Sequence, residues 1–268
     1  MDDGVSVVTI SYNARNVIEK TIISVLGQEL SNIQYIIIDG GSSDGTVEII
    51  EKYKSRLYYW ISEPDKGIYD AMNKGLKVAC GEWIIFMNAG DCFHNQYVIK
   101  DFLKLANRSF DIVYGSINKV LKDIHYRYYP YPLEMMDKCM ILPHQATFVK
   151  TAFHKMHPFD CTFHSSGDYH FFYNAYFTYG AKFQQIDLLV ADFDESGGVS
   201  KENIKTARME DLKIWGKEKK LYPAVRMRLR IIYWYVINFV EKMLPNNCRT
   251  NWRNRRLEKQ GYILLRNC

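Results

Sequence analysis

Hydrophobic and polar residues alternate along the first 110 residues in a regular strand–helix rhythm. Four apolar runs are typical of strands buried on both faces, and they read VVTIS, YIIID, YYWIS and WIIFM. The segments between them place apolar residues three and four positions apart, as helices with one buried face do; the first such set is Val17, Ile18, Ile22, Val25 and Leu26. This alternation predicts an α/β fold with a mostly parallel central sheet and helices on its faces.

The alternation becomes less regular after residue 110, where short strand-like runs mix with loops up to about residue 195. Helical spacing returns from Asp168 onward in the run DYHFFYNAYF. The polar sequence DESGGVS ends at Ser200 and predicts a boundary between an α/β domain, 1–200, and a helical tail, 201–268.

Polar and mostly acidic residues follow each of the four early strands. They occupy 11–13, 39–44, 63–66 and 88–91. The carboxyl ends of parallel strands meet at one edge of a sheet, where open α/β sheets bind their ligands. A turn explains any one of these segments, because Asn, Gly and Asp favour turns. Four such segments at one edge favour a binding site.

Composition limits the remaining possibilities. The hydrophobic fraction of 47% and the charged fraction of 24% are ordinary for a globular protein. The six cysteines lack the CxxC spacing of zinc sites, and no basic secretory signal precedes the first strand, which predicts reduced thiols in the cytoplasm. The apolar run IIYWYVI is shorter than the roughly 20 residues that span a bilayer.

The acidic edge predicts metal-assisted binding of a nucleotide. Neither the P-loop motif nor the dinucleotide motif follows the first strand. Asp39, Asp44 and Asp91 would repel a diphosphate unless a divalent cation lay between them. Mg²⁺ and Mn²⁺ are the cations that one or two carboxylates hold together with substrate phosphates. We therefore expect a Mn²⁺ or Mg²⁺ cofactor.

Four segments resemble, in the same order, the successive motifs of the family 2 glycosyltransferases: VVTISYN, IIIDGGSSDGT, EPDKGIYDAMNKG and GEWIIFMNAGD. The resemblance is strong over the first 100 residues and weakens up to about residue 195. It implies a Rossmann-like glycosyltransferase A domain with a nucleotide-sugar-binding half, 1–110, and an acceptor half, 111–200. It also implies a nucleotide-sugar donor, usually UDP-linked, a divalent metal and inversion at the anomeric carbon.

The resemblance also implies roles for single residues around the donor. The implied donor-binding residues are Thr9, Ser11, Tyr12, Asp39, Asp44, Asp65, Lys66, Asp70 and Asn88. Among these, Asp39 would accept a hydrogen bond from the base, and Asp44 would lie beside the ribose. Lys66 would be the cation near the phosphates, the alternative being a solvated loop lysine. For Asp70 the alternative is an exposed helix residue.

The sequence NAGD, residues 88–91, stands where the family carries its metal-binding Asp-x-Asp motif. Asn88 and Gly90 replace two carboxylates, which leaves Asp91 as the implied metal ligand. Asn88 would donate a neutral oxygen or orient a water molecule. Fewer carboxylates predict weaker metal binding.

An inverting transfer needs a group that takes the proton of the attacking hydroxyl. Asp168, in HSSGDYHFF, matches the late carboxylate that usually is the base in this family. The alternative for Asp168 is a helix N-cap, a position that favours Asp. His144 and Gln145, in LPHQATFVKT, match a family feature near the acceptor and the donor sugar. We expect His154 and His157 to be surface or core residues.

The tail carries most of the positive charge. Residues 201–268 hold 17 Lys and Arg against 6 Asp and Glu, whereas residues 1–200 hold 18 against 24. An apolar stripe recurs there at steps of three and four, at Val225, Leu229, Ile232, Val236, Val240 and Met243. Basic residues beside such a stripe predict a helix that lies on an anionic membrane surface, here the cytoplasmic face of the inner membrane. Packing of the stripe against the domain is the alternative.

The function that we expect is inverting transfer of a hexosyl or N-acetylhexosaminyl group from a nucleotide sugar. The acceptor would be lipid-linked or an oligosaccharide, in the synthesis of cell-surface polysaccharide or lipopolysaccharide. A metal-dependent nucleotidyltransferase is one alternative, although SYNARNV is a poor phosphate loop. An anion-binding protein that uses the basic tail is the other, but it leaves the acidic motifs unexplained. No nucleic-acid-binding motif is present, so we expect no nucleic-acid partner.

Overall fold

The computed structural model describes residues 4–30, 32–121, 124–194, 204–218, 221–244 and 263–265. The strands are β1 (Val5–Ser11), β2 (Ile33–Asp39), β3 (Tyr59–Ser62), β4 (Trp83–Phe86), β5 (Cys92–Phe93), β6 (Ile112–Leu121), β7 (Ile124–Tyr128), β8 (Thr147–Lys150), β9 (Phe183–Asp194) and β10 (Ile263–Leu265). The α-helices are α1 (Ile18–Leu26), α2 (Thr46–Lys52), α3 (Ile68–Val78), α4 (Val98–Leu105), α5 (Thr151–Met156), α6 (Gly167–Phe177), α7 (Ile204–Ile214) and α8 (Leu221–Met243). Short 3₁₀ helices lie at Lys54–Arg56, Leu133–Asp137 and His144–Ala146.

One sheet runs through the described part of the chain in the order β10-β7-β6-β8-β4-β1-β2-β3, with β9 beside β6 and β5 beside β9. Strands β1 to β4 pair in parallel, which confirms the α/β pattern predicted for the first half. Strand β8 is antiparallel to both β4 and β6, so the strand direction changes where the second half begins. The antiparallel strands of that half explain why the strand–helix rhythm weakens after residue 110.

The parallel half of the sheet is buried on both faces, as its continuous apolar strands predict. Val7 faces one core cluster and Val8 the other, and both side chains are fully buried. Helix α3 lies close to the second face, because a Cβ atom at Gly75 would come within 2.4 Å of Val8 Cγ1. This close approach needs a glycine in the middle of the helix and fixes the first turn of α3, which carries Tyr69.

The polar ends of the strands meet at one edge, as predicted. Ser11, Asp39 and Ser62 end β1, β2 and β3 at the same level, since Ser11 pairs with Asp39 and Asp39 with Ser62. The chain beyond β4 continues along β1, where the Ala89 amide donates to the Ile10 carbonyl over 3.0 Å. The segment 88–91 is thereby carried to the edge that Asp39 occupies.

The described part of the tail consists of the helices α7 and α8 and the strand β10. Helix α7 packs on the α/β domain, where Ile214 is buried in the core cluster that also holds Tyr69 and Phe172. In the described ranges no helix has the length and apolar character that crossing a membrane requires. The boundary expected at Ser200 lies outside the described residues and stays a prediction.

Candidate functional site

The Asp39 carboxylate lies at the centre of the edge and is fully buried. Its Oδ1 accepts hydrogen bonds from the Ser11 and Ser42 hydroxyls at 2.8 and 2.6 Å, and its Oδ2 from the Ser62 hydroxyl and the Ser42 amide at 2.6 and 2.8 Å. Burial acts to raise the Asp39 pKa, but these bonds outweigh it and hold the pKa below its usual value. Hydrogen bonds from the protein thus use all four lone pairs of the Asp39 carboxylate. A direct hydrogen bond from Asp39 to the nucleotide base stays a prediction.

Tyr12 and Asp65 border the same part of the edge from the solvent side. A Cβ atom at Gly40 would lie 2.6 Å from Asp65 Oδ2 and 3.2 Å from the Tyr12 ring. The missing side chain at residue 40 therefore lets the carboxylate and the ring come together above the loop that Asp39 holds. Tyr12 is 67% exposed, so a planar ligand can reach its ring.

Two residues predicted to bind the nucleotide-sugar donor make hydrogen bonds within the protein at this edge. The Thr9 hydroxyl is buried and donates to the Met87 carbonyl over 2.8 Å, which ties β1 to the chain beyond β4. Asp44 accepts from the Thr46 hydroxyl and amide and from the Arg15 amide at 2.5, 3.1 and 3.0 Å, and these bonds lower its pKa. The contacts of Thr9 and Asp44 with a donor stay predictions.

Lys66 lies in the loop just before α3, and Asp70 lies in the first turn of that helix. The Asp70 carboxylate accepts the Lys66 backbone amide at 3.0 Å, so it ties the loop before α3 to the first turn of the helix. The Lys66 residue is exposed beside Asp65 at the edge of the sheet. This position suits a cation that meets a phosphate, and that role also stays a prediction.

The segment NAGD is both a turn and an acidic site. Gly90 has φ +104°, a backbone conformation that favours glycine, and the Asp91 amide donates to the Asn88 carbonyl at 2.9 Å. Thr21 fixes the turn by accepting from the Gly90 amide at 2.9 Å and donating to the Asp91 carbonyl at 2.8 Å. Asp91 is only 7% exposed, and burial raises its pKa to about 6 against the opposing charges of His144 and Lys20. A buried carboxylate with a raised pKa is one that a bound cation would stabilise in its charged form.

Asp168 lies in the first turn of α6, where three donors surround its carboxylate. Oδ1 accepts from the Tyr69 hydroxyl at 3.1 Å and from the Tyr169 amide at 2.9 Å. Oδ2 lies 3.1 Å from His144 Nδ1. The N-cap of α6 is Ser166, so the N-cap alternative for Asp168 is wrong.

His144 connects Asp168 to the NAGD turn. Its Nε2 lies 3.1 Å from Asn88 Nδ2 and 4.0 Å from Asp91 Oδ2. An amide nitrogen can only donate, so Nε2 accepts and the proton of the neutral ring resides on Nδ1, which donates to Asp168. Burial opposes protonation of the ring, but the hydrogen bond and charge of Asp168 outweigh it and raise the His144 pKa. Gln145 is buried beside His144 in the same 3₁₀ helix.

A small cleft opens next to the Asp168 carboxylate. Its lining combines three residues of α3, Ile68, Tyr69 and Met72, with the polar residues His144, His164, Ser165 and Asp168. The Ser165 hydroxyl is buried there with no hydrogen-bond partner among the described residues. Apolar and polar side chains thus meet beside the Asp168 carboxylate.

The residues present fit a divalent cation that substrate phosphates help to hold. Asn88 Oδ1 is buried without a hydrogen-bond partner among the described residues, and Asp91 offers a carboxylate in the same turn. No group of three or more His, Cys, Asp and Glu able to hold a metal occurs in the described ranges. Two oxygen donors suffice for Mg²⁺ or Mn²⁺ only when the substrate supplies further ligands.

Sequence reasoning missed Tyr69 and Ser62 as members of the site. Tyr69 lies inside EPDKGIYDAMNKG, but its helical spacing also fits a core residue, and its ring is indeed buried. Ser62 ends β3 next to Asp39, which only the strand register reveals. By contrast, His154 is the core residue that we allowed for, since it is buried and stacks on Phe171 with ring centres 4.1 Å apart.

Comparison with known proteins identifies the family. Residues 6–173 match the model of Glycosyl transferase family 2. The chain belongs to this family. It is therefore an enzyme of the glycosyltransferase class, which agrees with the motif order, and the nucleotidyltransferase alternative is not needed.

Two relatives match over most of their length. An uncharacterized glycosyltransferase of Mycobacterium tuberculosis is 29% identical over 236 residues, which cover 85% of this chain and 89% of the relative. A PGL/p-HBAD biosynthesis glycosyltransferase of the same species is 22% identical over 261 residues, which cover 94% of this chain and 98% of the relative.

Solved glycosyltransferase structures share the fold. S. aureus TarS 1-349 in complex with UDP-GlcNAc has a TM-score of 0.59 at 20% identity, and the match covers 80% of this chain and 66% of that one. The mannosyltransferase PcManGT from Pyrobaculum calidifontis, in complex with GDP-Man and Mn²⁺, has a TM-score of 0.58 at 16% identity and covers 83% and 64%. A longer TarS chain is matched over only 39% of its length. These likenesses confirm the predicted glycosyltransferase A fold.

Proposed function

We propose that this protein transfers a hexosyl or N-acetylhexosaminyl group from a UDP-sugar, with inversion, to a hydroxyl of a lipid-linked or saccharide acceptor. The product would be a cell-surface polysaccharide or lipopolysaccharide. The observation that carries the proposal is the contact of Asp168 with His144, because it joins a candidate base to the NAGD turn beside an open cleft. The UDP-GlcNAc complex of TarS supports the donor type, and the PGL/p-HBAD relative supports a transferase that acts in biosynthesis.

The Asp168 carboxylate has one lone pair left that can accept a hydrogen bond from the substrate. An ionised carboxylate has about four lone-pair sites, and the Tyr69 hydroxyl, the Tyr169 amide and His144 Nδ1 use three of them. The fourth, on Oδ2, accepts the proton of the acceptor hydroxyl. The freed oxygen forms a bond to the anomeric carbon while the bond from that carbon to the diphosphate breaks, and the nucleoside diphosphate leaves with the electron pair.

The donor lies along the edge between the ends of β1 and β4 in this proposal. Tyr12 and Asp65 contact the base above Gly40, and Lys66 contacts a phosphate. Asp39 acts on the donor by fixing the loop at Ser42 and the end of β3. The other predicted donor-binding residues have two roles in this proposal. Asn88 faces the metal. The strand ends and the first turns of α2 and α3 are kept in place by Thr9, Ser11, Asp44 and Asp70.

Asp91 and Asn88 Oδ1 would hold Mn²⁺ or Mg²⁺ together with the donor phosphates. The bound cation would offset the charge that develops on the leaving diphosphate. The Mn²⁺ complex of PcManGT supports this choice of cofactor. Lys20 lies close enough to Asp91 to lower its pKa, and it would add positive charge on the outer side of the turn.

The tail helix α8 would bind the enzyme to the cytoplasmic face of the inner membrane. All six residues of its predicted apolar stripe, from Val225 to Met243, are between 42% and 72% exposed. Tyr233 and Phe239 are also exposed on α8, and residues 201–268 carry an excess of 11 positive charges. Exposed apolar and aromatic side chains within a basic segment favour the interface of an anionic bilayer, where a lipid-linked acceptor would lie.

A screen of nucleotide sugars tests the reaction. The full chain with Mn²⁺ is expected to release nucleoside diphosphate from one UDP-sugar faster than from GDP-linked and ADP-linked sugars. A chain that turns over none of them, with or without saccharide acceptors, contradicts the proposal. Co-sedimentation tests the membrane step: binding to vesicles that contain anionic lipid, weakened by salt and absent for neutral vesicles, is expected.

A further inference from the structure

Three consecutive backbone amides ahead of helix α6 converge on one carboxylate of the tail. Glu210 of α7 accepts the His164 amide on Oε1 at 2.7 Å, and the Ser165 and Ser166 amides on Oε2 at 3.0 and 2.8 Å. The Glu210 side chain is only 11% exposed. Amides at the start of a helix lack partners within the helix, and hydrogen bonds to a charged acceptor are stronger than neutral ones.

Two further side chains of α7 and its end reinforce this contact. Asp211 accepts the Ser166 hydroxyl at 3.2 Å and is itself held by Arg208 Nη1 at 3.0 Å. The Trp215 indole donates to the Tyr169 hydroxyl at 2.7 Å. We call Glu210, Asp211 and Trp215 the α7 clamp.

The clamp holds the chain on both sides of Asp168. Its partners are Ser166, two residues before the carboxylate, and Tyr169, the residue after it. On the opposite side a Cβ atom at Gly167 would lie 2.7 Å from the Tyr69 ring, so the backbone cannot move in that direction. The first turn of α6 is therefore fixed between α3 and α7.

We propose that Glu210 is a positioning residue for the base Asp168 and for the acceptor cleft. The inference rests on the proposed function, because it needs Asp168 to accept the proton of the acceptor. Glu210 holds the loop 164–166, whose His164 and Ser165 line the cleft, and the first turn of α6, which carries the Asp168 carboxylate. The donor edge is held separately by the hydrogen bonds of Asp39 and Asp44.

Glu210→Gln tests the proposal at nearly constant shape. The substitution removes the charge and points an amide nitrogen, which cannot accept, at one or two of the three backbone donors. Displacement of a catalytic group by about 1 Å can cost on the order of 10²-fold in rate, so we expect kcat for transfer to fall by about that factor. The Kd for UDP, measured by calorimetry, is expected to stay unchanged. Glu210→Asp, which keeps the charge on a shorter side chain, should recover part of the rate.

Glu218→Gln is the matched control. It removes the same charge from an exposed residue that follows α7, and we expect wild-type kcat and Kd. Hydrogen exchange supplies a readout that needs no substrate. The amides of His164, Ser165 and Ser166 should exchange faster in Glu210→Gln than in Glu218→Gln, because their acceptor is weakened.

The two readouts separate the possible failures. Unchanged exchange at residues 164–166 in Glu210→Gln overturns the clamp itself. Faster exchange with a wild-type kcat overturns its role in positioning the base. Loss of UDP binding together with kcat also overturns it, since that result indicates general damage to the fold. A wild-type enzyme that turns over no donor overturns the proposed function, whereas the exchange experiment still decides whether Glu210 holds the loop.

Discussion

His144 Nδ1 lies 3.1 Å from Asp168 Oδ2, although the two residues are 24 positions apart and belong to different helices. The opposite nitrogen of the same ring lies 3.1 Å from the Asn88 amide. One imidazole thus joins the candidate base to the turn that carries Asp91. The ring thereby connects the segment that follows β4 with the first turn of α6.

His144→Gln is expected to lower kcat with a smaller effect on UDP binding. Glutamine is too flexible to hold Asn88 and Asp168 at once, and loss of a partner that orients ligands or catalytic groups typically costs about 10–100-fold. Steady-state kinetics at saturating donor measure the effect. His157→Gln, in a half-buried residue outside the site, is the control. A wild-type kcat in His144→Gln would mean that the ring only fills space.

Asp168→Asn should lower kcat by about 10²–10⁴-fold, the usual contribution of a general base. Asparagine keeps the size of the side chain and can still accept from Tyr69, so donor affinity and fold should survive. Calorimetry with UDP and the thermal midpoint check both points. Asp187→Asn serves as the control, because Asp187 is highly exposed and pairs with Arg127. Equal rates for the two variants would move the search to other acids such as Asp192.

Asp91→Asn is expected to raise the Mn²⁺ concentration needed for half-maximal activity, because it removes the carboxylate of the NAGD turn. The same change should stabilise the metal-free fold at pH 7. Burial raises the pKa of Asp91 in the folded protein to about 6. Asp91 therefore stabilises the fold most below its unfolded pKa, where it is protonated, and this stabilisation is lost as pH rises through about 6. The two-unit shift corresponds to about 3 kcal/mol as an upper value. Urea unfolding in EDTA measures it, and a less stable variant would contradict the assignment.

Asp39→Asn and Asp65→Asn should differ in stability but agree in kinetics. An asparagine in place of Asp39 would leave at least one buried donor of the serine cluster unpaired, at a cost of about 1–3 kcal/mol in the free energy of unfolding. Asp65 accepts the Gly67 amide in a partly exposed loop, so its loss should cost little stability. Both variants are expected to raise the donor KM more than they lower kcat. A normal KM in Asp65→Asn would remove this residue from the base pocket.

The fold should lose stability in acid through His154. Burial lowers the His154 pKa to about 4, and its Nδ1–H donates to the His157 carbonyl at 3.2 Å. As pH falls, His154 is protonated in the unfolded state before it is protonated in the folded state. The free energy of unfolding therefore keeps its full value above pH 6.5 and falls by about 3 kcal/mol as pH drops toward 4. His154→Asn, which keeps a donor near Nδ1, should flatten the pH dependence of the free energy of unfolding. An unchanged slope would show that other groups dominate.

The sequence predicted the parts of the structure that depend on short-range pattern. The strands β1 to β4, their shared edge and the turn at Asn88 follow from local residue types. The hydrogen bonds to Asp39 could not be predicted, because Ser62 is 23 positions away and only the strand register brings it near. The role of Glu210 could not be predicted either, because it lies in a strongly basic segment and its contacts with residues 164–166 are 44 to 46 positions away.

The contacts of Glu210 also limit how acceptor specificity can be exchanged among relatives of this enzyme. A chimera that joins one enzyme up to residue 200 to the tail of another would pair a loop 164–166 with a foreign α7. The loop 164–166 and the helix α7 that holds it should therefore be exchanged only together. A recombination point beyond Trp215 keeps them together and leaves α8 free to vary.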